Sequence, residues 1–387
     1  MPSLFAKISI SKKLIAAFLL VGIIPLVVLG LTTLDSASKA LEKQSLNQLE
    51  TVRSIKKGQI EDYFKSTQED LAILSKTIRP HMYMCPLNMC ANLNLSGKEN
   101  AHFNAYIETY GYRDLFIIKT DGYVGYTATK KTDYQSNLIN GAYAESSLGR
   151  LFRDVMATGE FGFADFEAYA PSSGVPASFI AQPITNAAGK IKAVVALEIS
   201  TDSINKIMAE RSGMGSTGES YLVGADHLMR SDSFLDPINH SVEASFANPQ
   251  EGSIDSDSTK AGLAGQSGSS TIMNYNGNPV LSSYTPVNIL GSQWALIAEV
   301  DRTEAFAPMQ ELKVLAFKIG IIGSVLIYIL AFFMSRSIRR PILSLSQLFK
   351  KIDASGDFSL RVTDIVSTDE IGQMANAVNQ HLESLQH

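Results

Sequence analysis

Two strongly apolar stretches of the chain carry no charge. They are Leu14 to Leu34 (LIAAFLLVGIIPLVVLGLTTL), between Lys13 and Asp35, and Ile319 to Ser335 (IGIIGSVLIYILAFFMS), between Lys318 and Arg336. A helix rising ~1.5 Å per residue needs ~20 apolar residues to cross a hydrocarbon core of ~30 Å. The first run is that long, and Pro25 within it is tolerated in a membrane helix. The second reaches that length once Val314–Phe317 is added and Lys318 stretches its ammonium to the interface. The pattern therefore predicts two membrane spans, over 14–34 and 313–335. A signal peptide is the alternative for the first, with Lys7, Lys12 and Lys13 as its positive region. The run is longer than a typical apolar signal segment, however, and ends in Leu-Thr-Thr-Leu instead of a small-residue cleavage site.

Between the spans the pattern changes twice. Residues 36–78 set Leu46, Leu49, Ile60, Phe64, Leu71 and Leu74 among many Lys, Glu and Gln, which predicts one long helix with Gly58 as its weak point. From Tyr106 to Ser200 short β-rich runs take over: Asp114–Lys119, Tyr123–Thr129 after an Asp121-Gly122 turn, Ala177–Pro183 and Ile191–Ile199, with a helical piece at Ser146–Ala157. After a second helical stretch at Thr201–Glu210 the same order recurs: Glu219–Val223, Thr271–Tyr275, an Asn276-Gly277-Asn278 turn, Val280–Thr285 and Trp294–Glu299. Beyond the second span, Ile342, Leu345, Phe349 and Ile352 follow a spacing of three and four, as do Ile371, Met374, Val378, Leu382 and Leu385, with a Gly356-Asp-Phe-Ser-Leu-Arg-Val362 break between them. Two short amphipathic helices cannot each bury a stripe alone, which predicts a parallel four-helix bundle made by two chains. The expected divisions are an N-terminal segment (1–13), the first span (14–34), a signalling helix (35–79), two α+β units (80–205 and 206–312), the second span (313–335) and a tail (336–387).

Charge orients these pieces. Of 387 residues, 45% are hydrophobic and only 18% charged, and the net charge of −5 is an average over unlike parts. Residues 1–13 carry +3, the tail balances to zero, and the intervening part carries −8. Positive flanks stay in the cytoplasm, so Lys7, Lys12, Lys13, Arg336, Arg339 and Arg340 put both termini inside. Residues 35–318 are then periplasmic or extracellular, and the chain is a multi-pass protein of a bacterial inner membrane. The absence of a basic face argues against nucleic-acid binding, and the spans argue against a wholly soluble enzyme. The six histidines form no HExxH, and there is no G-x-S-x-G or P-loop, so no catalytic constellation or cofactor is expected.

The long helix followed by two α+β units between spans resembles the double Cache sensor module of bacterial transmembrane receptors. Gly218-Glu-Ser-Tyr-Leu-Val223 and Trp294-Ala-Leu-Ile-Ala-Glu299 look like the first and last strands of its membrane-proximal unit. The tail closely resembles a HAMP linker, with Pro341 just past the membrane, Gly356 in the connector, and Asp369-Glu370-Ile371-Gly372 opening the second helix. These resemblances imply PAS-like Cache units with antiparallel sheets, a homodimer, and Pro341, Gly356, Asp369, Glu370 and Gly372 as relay positions. They imply a methyl-accepting chemotaxis receptor, which would work with a coupling protein and a histidine kinase through an output domain lying beyond His387. The same front end on a histidine kinase or diguanylate cyclase is the alternative.

The resemblance also implies a small-molecule site in the membrane-distal unit. That unit supplies Tyr123, Tyr126, Tyr134, Phe166, Tyr169 and Phe179, with Asp133 and Asp165 nearby. Amino-acid-binding members carry Arg-x-Trp-Tyr after the second strand, and Thr132-Asp-Tyr-Gln-Ser-Asn-Leu138 lacks it. Glu198, in Val194-Val-Ala-Leu-Glu-Ile199, stands where those members place an ammonium-binding Asp. A carboxylate beside tyrosine rings suits an amine or quaternary ammonium by charge and cation–π attraction. If Glu198 instead faces solvent, the tyrosines are core. Cys85 and Cys90 suggest a disulfide closing a short loop outside the cytoplasm; with His81, Met82, Met84 and Met89 around them, a soft-metal site for Cu(I) is the alternative.

Overall fold

The computed structural model describes residues 8–83, 97–363, 365 and 369–385, so Cys85 and Cys90 lie outside the described residues. The chain divides into two compact units, Leu41–Phe306 and the remainder. A single helix, Ile10–Tyr83, runs without a break through the first apolar run and the predicted long helix.

Within Leu41–Phe306, nine strands make two antiparallel sheets. The first contains β1 (Tyr112–Lys119), β2 (Val124–Thr127), β3 (Gly162–Ala168), β4 (Pro176–Thr185) and β5 (Ile191–Ile199), in the order β2-β1-β5-β4-β3. The second contains β6 (Glu219–Val223), β7 (Gly268–Met273), β8 (Pro279–Ile289) and β9 (Ser292–Asp301), in the order β6-β9-β8-β7. In each sheet the last strand in sequence lies inside, against the first, so its residues are buried on both faces. This explains the nearly unbroken apolar reading of β5 and β9. The strand β3, with the sequence GFADFEA, has few β-branched residues and two acids, and periodicity does not mark it.

The long helix covers one face of the first sheet. Ile60, Phe64, Leu71, Leu74 and Ile78 pack in one core with Leu115, Ile117, Ile180, Val195 and Leu197, and that core continues into Tyr221, Val223 and Trp294 of the second sheet. The opposite face of the first sheet packs on the helix Ser147–Thr158, through Leu148, Leu151, Phe152 and Val155 against Phe116, Ile118, Phe179, Val194 and Ala196. Ser146 caps that helix by accepting from the Gly149 amide, and Gly159, at φ 72°, ends it.

The other unit is built from the two apolar helical segments and the tail. Ser11 and Ser335 share a hydroxyl hydrogen bond at 2.6 Å, and a Cβ on Gly22 would sit 2.9 Å from Ile327 side-chain atoms. Small residues of this kind let membrane helices approach closely. The helix Ala307–Ser355 continues through Pro341 and stops at Gly356, at φ 64°. A second helix, Glu370–Ser384, begins where Asp369 accepts from the Ile371 and Gly372 amides, each at 3.1 Å. Their shared core is Leu345, Leu348, Ile352, Val362, Ala375 and Leu382. Of the predicted seam residues, Leu345, Ile352 and Leu382 enter this core, joined by Leu348, while Ile342, Phe349, Met374 and Leu385 are exposed on the single chain. Gly356→Ala forces an L-residue into the left-handed region with open space around its Cβ. The expected loss is therefore purely conformational, about 1 kcal/mol, and thermal unfolding followed by circular dichroism checks it.

Candidate ligand site in the first sheet

Register builds the site. On β5, Glu198 lies directly opposite Asp114 of β1 on one side and Phe179 of β4 on the other. Residues directly opposite share a face, and this is the face covered by the helix Ser147–Thr158. Glu198 faces inward and is 0% exposed, so it is not a solvated strand residue.

Lys131 reaches over this trio from the segment after β2. Its Nζ donates to Glu198 Oε2 at 2.8 Å and to Ser172 Oγ at 2.9 Å, and Arg113 Nε stands 3.9 Å from Glu198 Oε1. Glu198 Oε1 is buried and accepts no hydrogen bond. Asp133 is also buried: its Oδ2 accepts from the Tyr169 hydroxyl at 2.6 Å, and its Oδ1 has no partner. The Tyr169 ring meets the Phe179 ring edge-on at 4.9 Å. Asp114 is satisfied instead. Its Oδ1 accepts from the amides of Leu115 (2.7 Å), Ala128 (2.9 Å) and Thr129 (3.2 Å), and Oδ2 accepts from the Thr129 hydroxyl.

Burial pushes the Glu198 carboxyl above its ordinary range, against the opposing pull of Lys131. Burial likewise raises Asp133, opposed by the Tyr169 hydrogen bond and Lys131, and raises Asp114, opposed by the Thr129 hydroxyl and its backbone donors. Three carboxyl groups therefore meet one partly buried ammonium and one half-exposed guanidinium, and two carboxyl oxygens remain unpartnered. A cationic group suits this deficit of positive charge.

Asp133, Tyr169, Phe179 and Glu198 come together as predicted from sequence. The remaining candidates do not join them. Tyr126 belongs to the opposite core and packs on Phe103, while Phe166 lies in that same core beside Trp294. Tyr123 and Tyr134 are half-buried beneath Lys119 and Lys130. Asp165 is committed to Arg230 and Trp294. Sequence reasoning missed Asp114, Lys131 and Ser172. The strand pattern put Asp114 at the start of a run, and only pairing with β5 sets it beside Glu198.

An antiparallel α+β unit with a polar cradle on its helix-covered face, followed by a second such unit, defines a tandem sensor module. The chain belongs to the double Cache family: the Cache domain profile matches residues 36–309, and the HAMP domain profile matches residues 333–387. A curated relative, the probable chemoreceptor y4sI of Sinorhizobium fredii, is 26% identical over 182 residues, covering 47% of this chain and 22% of that protein. The match thus spans about a fifth of that relative's length. Among solved structures, the periplasmic sensory domain of the Campylobacter jejuni chemoreceptor Tlp1 aligns with a TM-score of 0.49 and 12% identity, covering 69% of this chain and 99% of that one. The ligand-binding domain of the Pseudomonas aeruginosa PAO1 amino acid chemoreceptor PctB in complex with L-Arg aligns with a TM-score of 0.45 and 17% identity, covering 67% and 97%.

Proposed function

We propose that this chain is the sensing and relay portion of a homodimeric transmembrane chemoreceptor whose first sheet binds a small amine or quaternary ammonium solute outside the cytoplasm. The observation that carries this reading is Glu198 Oε1, buried and unpartnered between Asp114 and Phe179. A ligand ammonium would take Glu198 Oε1 and Asp133 Oδ1, with the Tyr169 and Phe179 rings supplying cation–π contact. Lys131 adds a requirement, because the ligand must displace it from Glu198 or share the carboxylate with it. The receptor itself is read as non-enzymatic. Its termini are read as cytoplasmic from the flanking lysines and arginines.

Ligand binding would shift a population between two arrangements, and the second span would carry the shift as a displacement of ~1–2 Å. The exposed Ile342, Phe349, Met374 and Leu385 are the surface a second copy would cover in a HAMP bundle. Residues 336–341 would hand on the motion, so Pro341→Ala is expected to alter output with ligand affinity unchanged.

The test is a thermal-shift screen of the full chain in lipid nanodiscs against amines, quaternary ammonium compounds, carboxylates, purines and sugars. A ligand at a hundredfold excess over Kd stabilises by ~2.7 kcal/mol, a shift of ~5 °C for a domain of this size. Cations are expected to give that shift, and Glu198→Gln to abolish it. A shift from carboxylates alone, or one that survives Glu198→Gln, overturns the reading.

A further inference from the structure

The second sheet repeats the register of the first. Glu299 on β9 lies directly opposite Glu219 of β6 and Ser282 of β8, as Glu198 on β5 lies opposite Asp114 and Phe179. Both glutamates are closed off from solvent, Glu219 at 0% and Glu299 at 1% exposure. What differs is the compensation. Lys131 is ion-paired with Glu198 of the first pair, whereas among the described residues no Lys, Arg or His forms an ion pair with Glu219 or Glu299.

We propose that the Glu219–Glu299 pair is a proton-binding site, a second input to the sensor that holds one proton between two buried carboxyl groups and releases it in alkaline surroundings. Two adjacent buried carboxylates without a cation cannot both stay ionised. The donors decide which one carries the proton. Glu219 receives four: Ser233 Oγ at 2.8 Å, the Phe234 and Leu235 amides at 3.1 and 3.3 Å, and the Tyr275 hydroxyl. Those suit a charged acceptor. For donors Glu299 faces only the side chains of Tyr221 and Asn274, neither in good hydrogen-bond geometry, and receives no backbone donor, so the proton belongs on Glu299.

The groups around Glu299 support that assignment. From β6 come Glu219 and Tyr221, from β9 itself Asp301, and from the turn after β7 Asn274. Ser282 of β8 bonds at 2.8 Å to Ser258 of the helix Asp257–Leu263, whose Lys260 is turned to Asp255 at 3.0 Å. Behind Tyr275 stands His240, its ring 4.4 Å away and its Nδ1 held by Asp236 at 2.9 Å. Burial, with the Glu219 charge next, pushes the Glu299 carboxyl up to about 8. A carboxyl raised in this way is neutral at lower pH, and its stabilising contribution is lost as pH rises through that value.

The site also lies next to a mechanical junction. β9 ends at Asp301, whose amide donates to Thr217 Oγ1 at 3.1 Å. Glu304, in the short helix that follows, accepts from the Ser216 and Thr217 amides, both at 2.7 Å, in the turn that leads into β6. Charge on both glutamates pushes β6 and β9 apart beside this clamp, where the chain leaves the sheet for its second apolar helix.

The test is infrared difference spectroscopy of the full chain in nanodiscs across a pH titration, reading the carbonyl band of protonated carboxyl groups. The wild type is expected to lose one such band with a midpoint near about 8. Glu299→Gln removes that band, Glu198→Gln leaves it, and Glu219→Gln moves its midpoint to lower pH by removing the neighbouring charge. The proposal is overturned by a band that persists in Glu299→Gln, by a wild type with no carboxyl titrating in the alkaline range, or by a midpoint that Glu219→Gln does not move. None of these readouts involves a solute ligand, so they stand apart from the outcome of the amine screen.

Discussion

Asp165→Ala is expected to lower the unfolding free energy by about 3 kcal/mol, the low end of the ~3–5 kcal/mol typical when one partner of a buried ion pair is removed. Asp165 Oδ1 accepts from Arg230 Nε at 2.9 Å, and Oδ2 accepts from Arg230 Nη2 at 3.0 Å and from Trp294 Nε1 at 3.0 Å. The Arg230 side chain is only 3% exposed. Without Asp165 it keeps Asp226, at 3.0 Å, but that carboxylate is 42% exposed and screened by water. The buried Trp294 N–H is also left without an acceptor, which adds the cost of an unsatisfied donor. Replacing Arg230 by Met at the same time removes the uncompensated charge, so the double variant is expected to be more stable than Asp165→Ala alone. Urea denaturation of the two single variants and the double variant gives the coupling energy. A single-variant loss within ~0.5 kcal/mol, the range of ordinary surface changes, would sink the idea that this clamp ties β3 to the second sheet.

That clamp also marks the limit of what the sequence makes legible. Periodicity exposes β5 and β9 because their residues are buried on both faces, and the Asp121-Gly122 and Asn276-Gly277-Asn278 turns announce the hairpins around them. Gly224 is legible only as part of a turn. Its actual constraint is that the Arg230 guanidinium lies 2.3 Å from where a Cβ would stand, a fact that depends on two chain segments meeting. Asp165 reads as one more acid beside an aromatic, yet its partners are 65 and 129 positions away. Glu198 stands out by resemblance to a family pattern, and the structure turns it inward on β5. Asp114 and Lys131 do not stand out, because their roles arise from register and from a long side chain folding back. The repeated carboxylate pair in the second sheet is hidden for the same reason: Glu219 and Glu299 are 80 positions apart, and only antiparallel pairing makes them neighbours.

Lys131→Met is the sharper probe of the proposed ligand site, because it leaves Glu198 buried beside Asp114 with only Arg113, 3.9 Å away and 41% exposed on its side chain, to offset the charge. Breaking a buried pair costs ~3–5 kcal/mol, and the 21% exposure of the Lys131 side chain places the expected loss near the lower bound. The pH dependence separates charge from packing. In the wild type, burial raises the Glu198 carboxyl while Lys131 holds it down, so the variant raises it further. Below the ordinary value of 4.5 the carboxyl is protonated in folded and unfolded chains alike, and the variant should then differ from wild type only by lost packing. As pH rises through the elevated folded-state value the deficit grows, and it is complete once Glu198 is forced to ionise. A difference in stability that is flat across this range would mean that Lys131 contributes only its methylenes. The variant also sets a condition on the ligand. An amine that replaces the missing ammonium should stabilise Lys131→Met more than wild type, since it no longer competes with a tethered cation for Glu198. Equal or smaller shifts in the variant would place the ligand elsewhere than on this carboxylate.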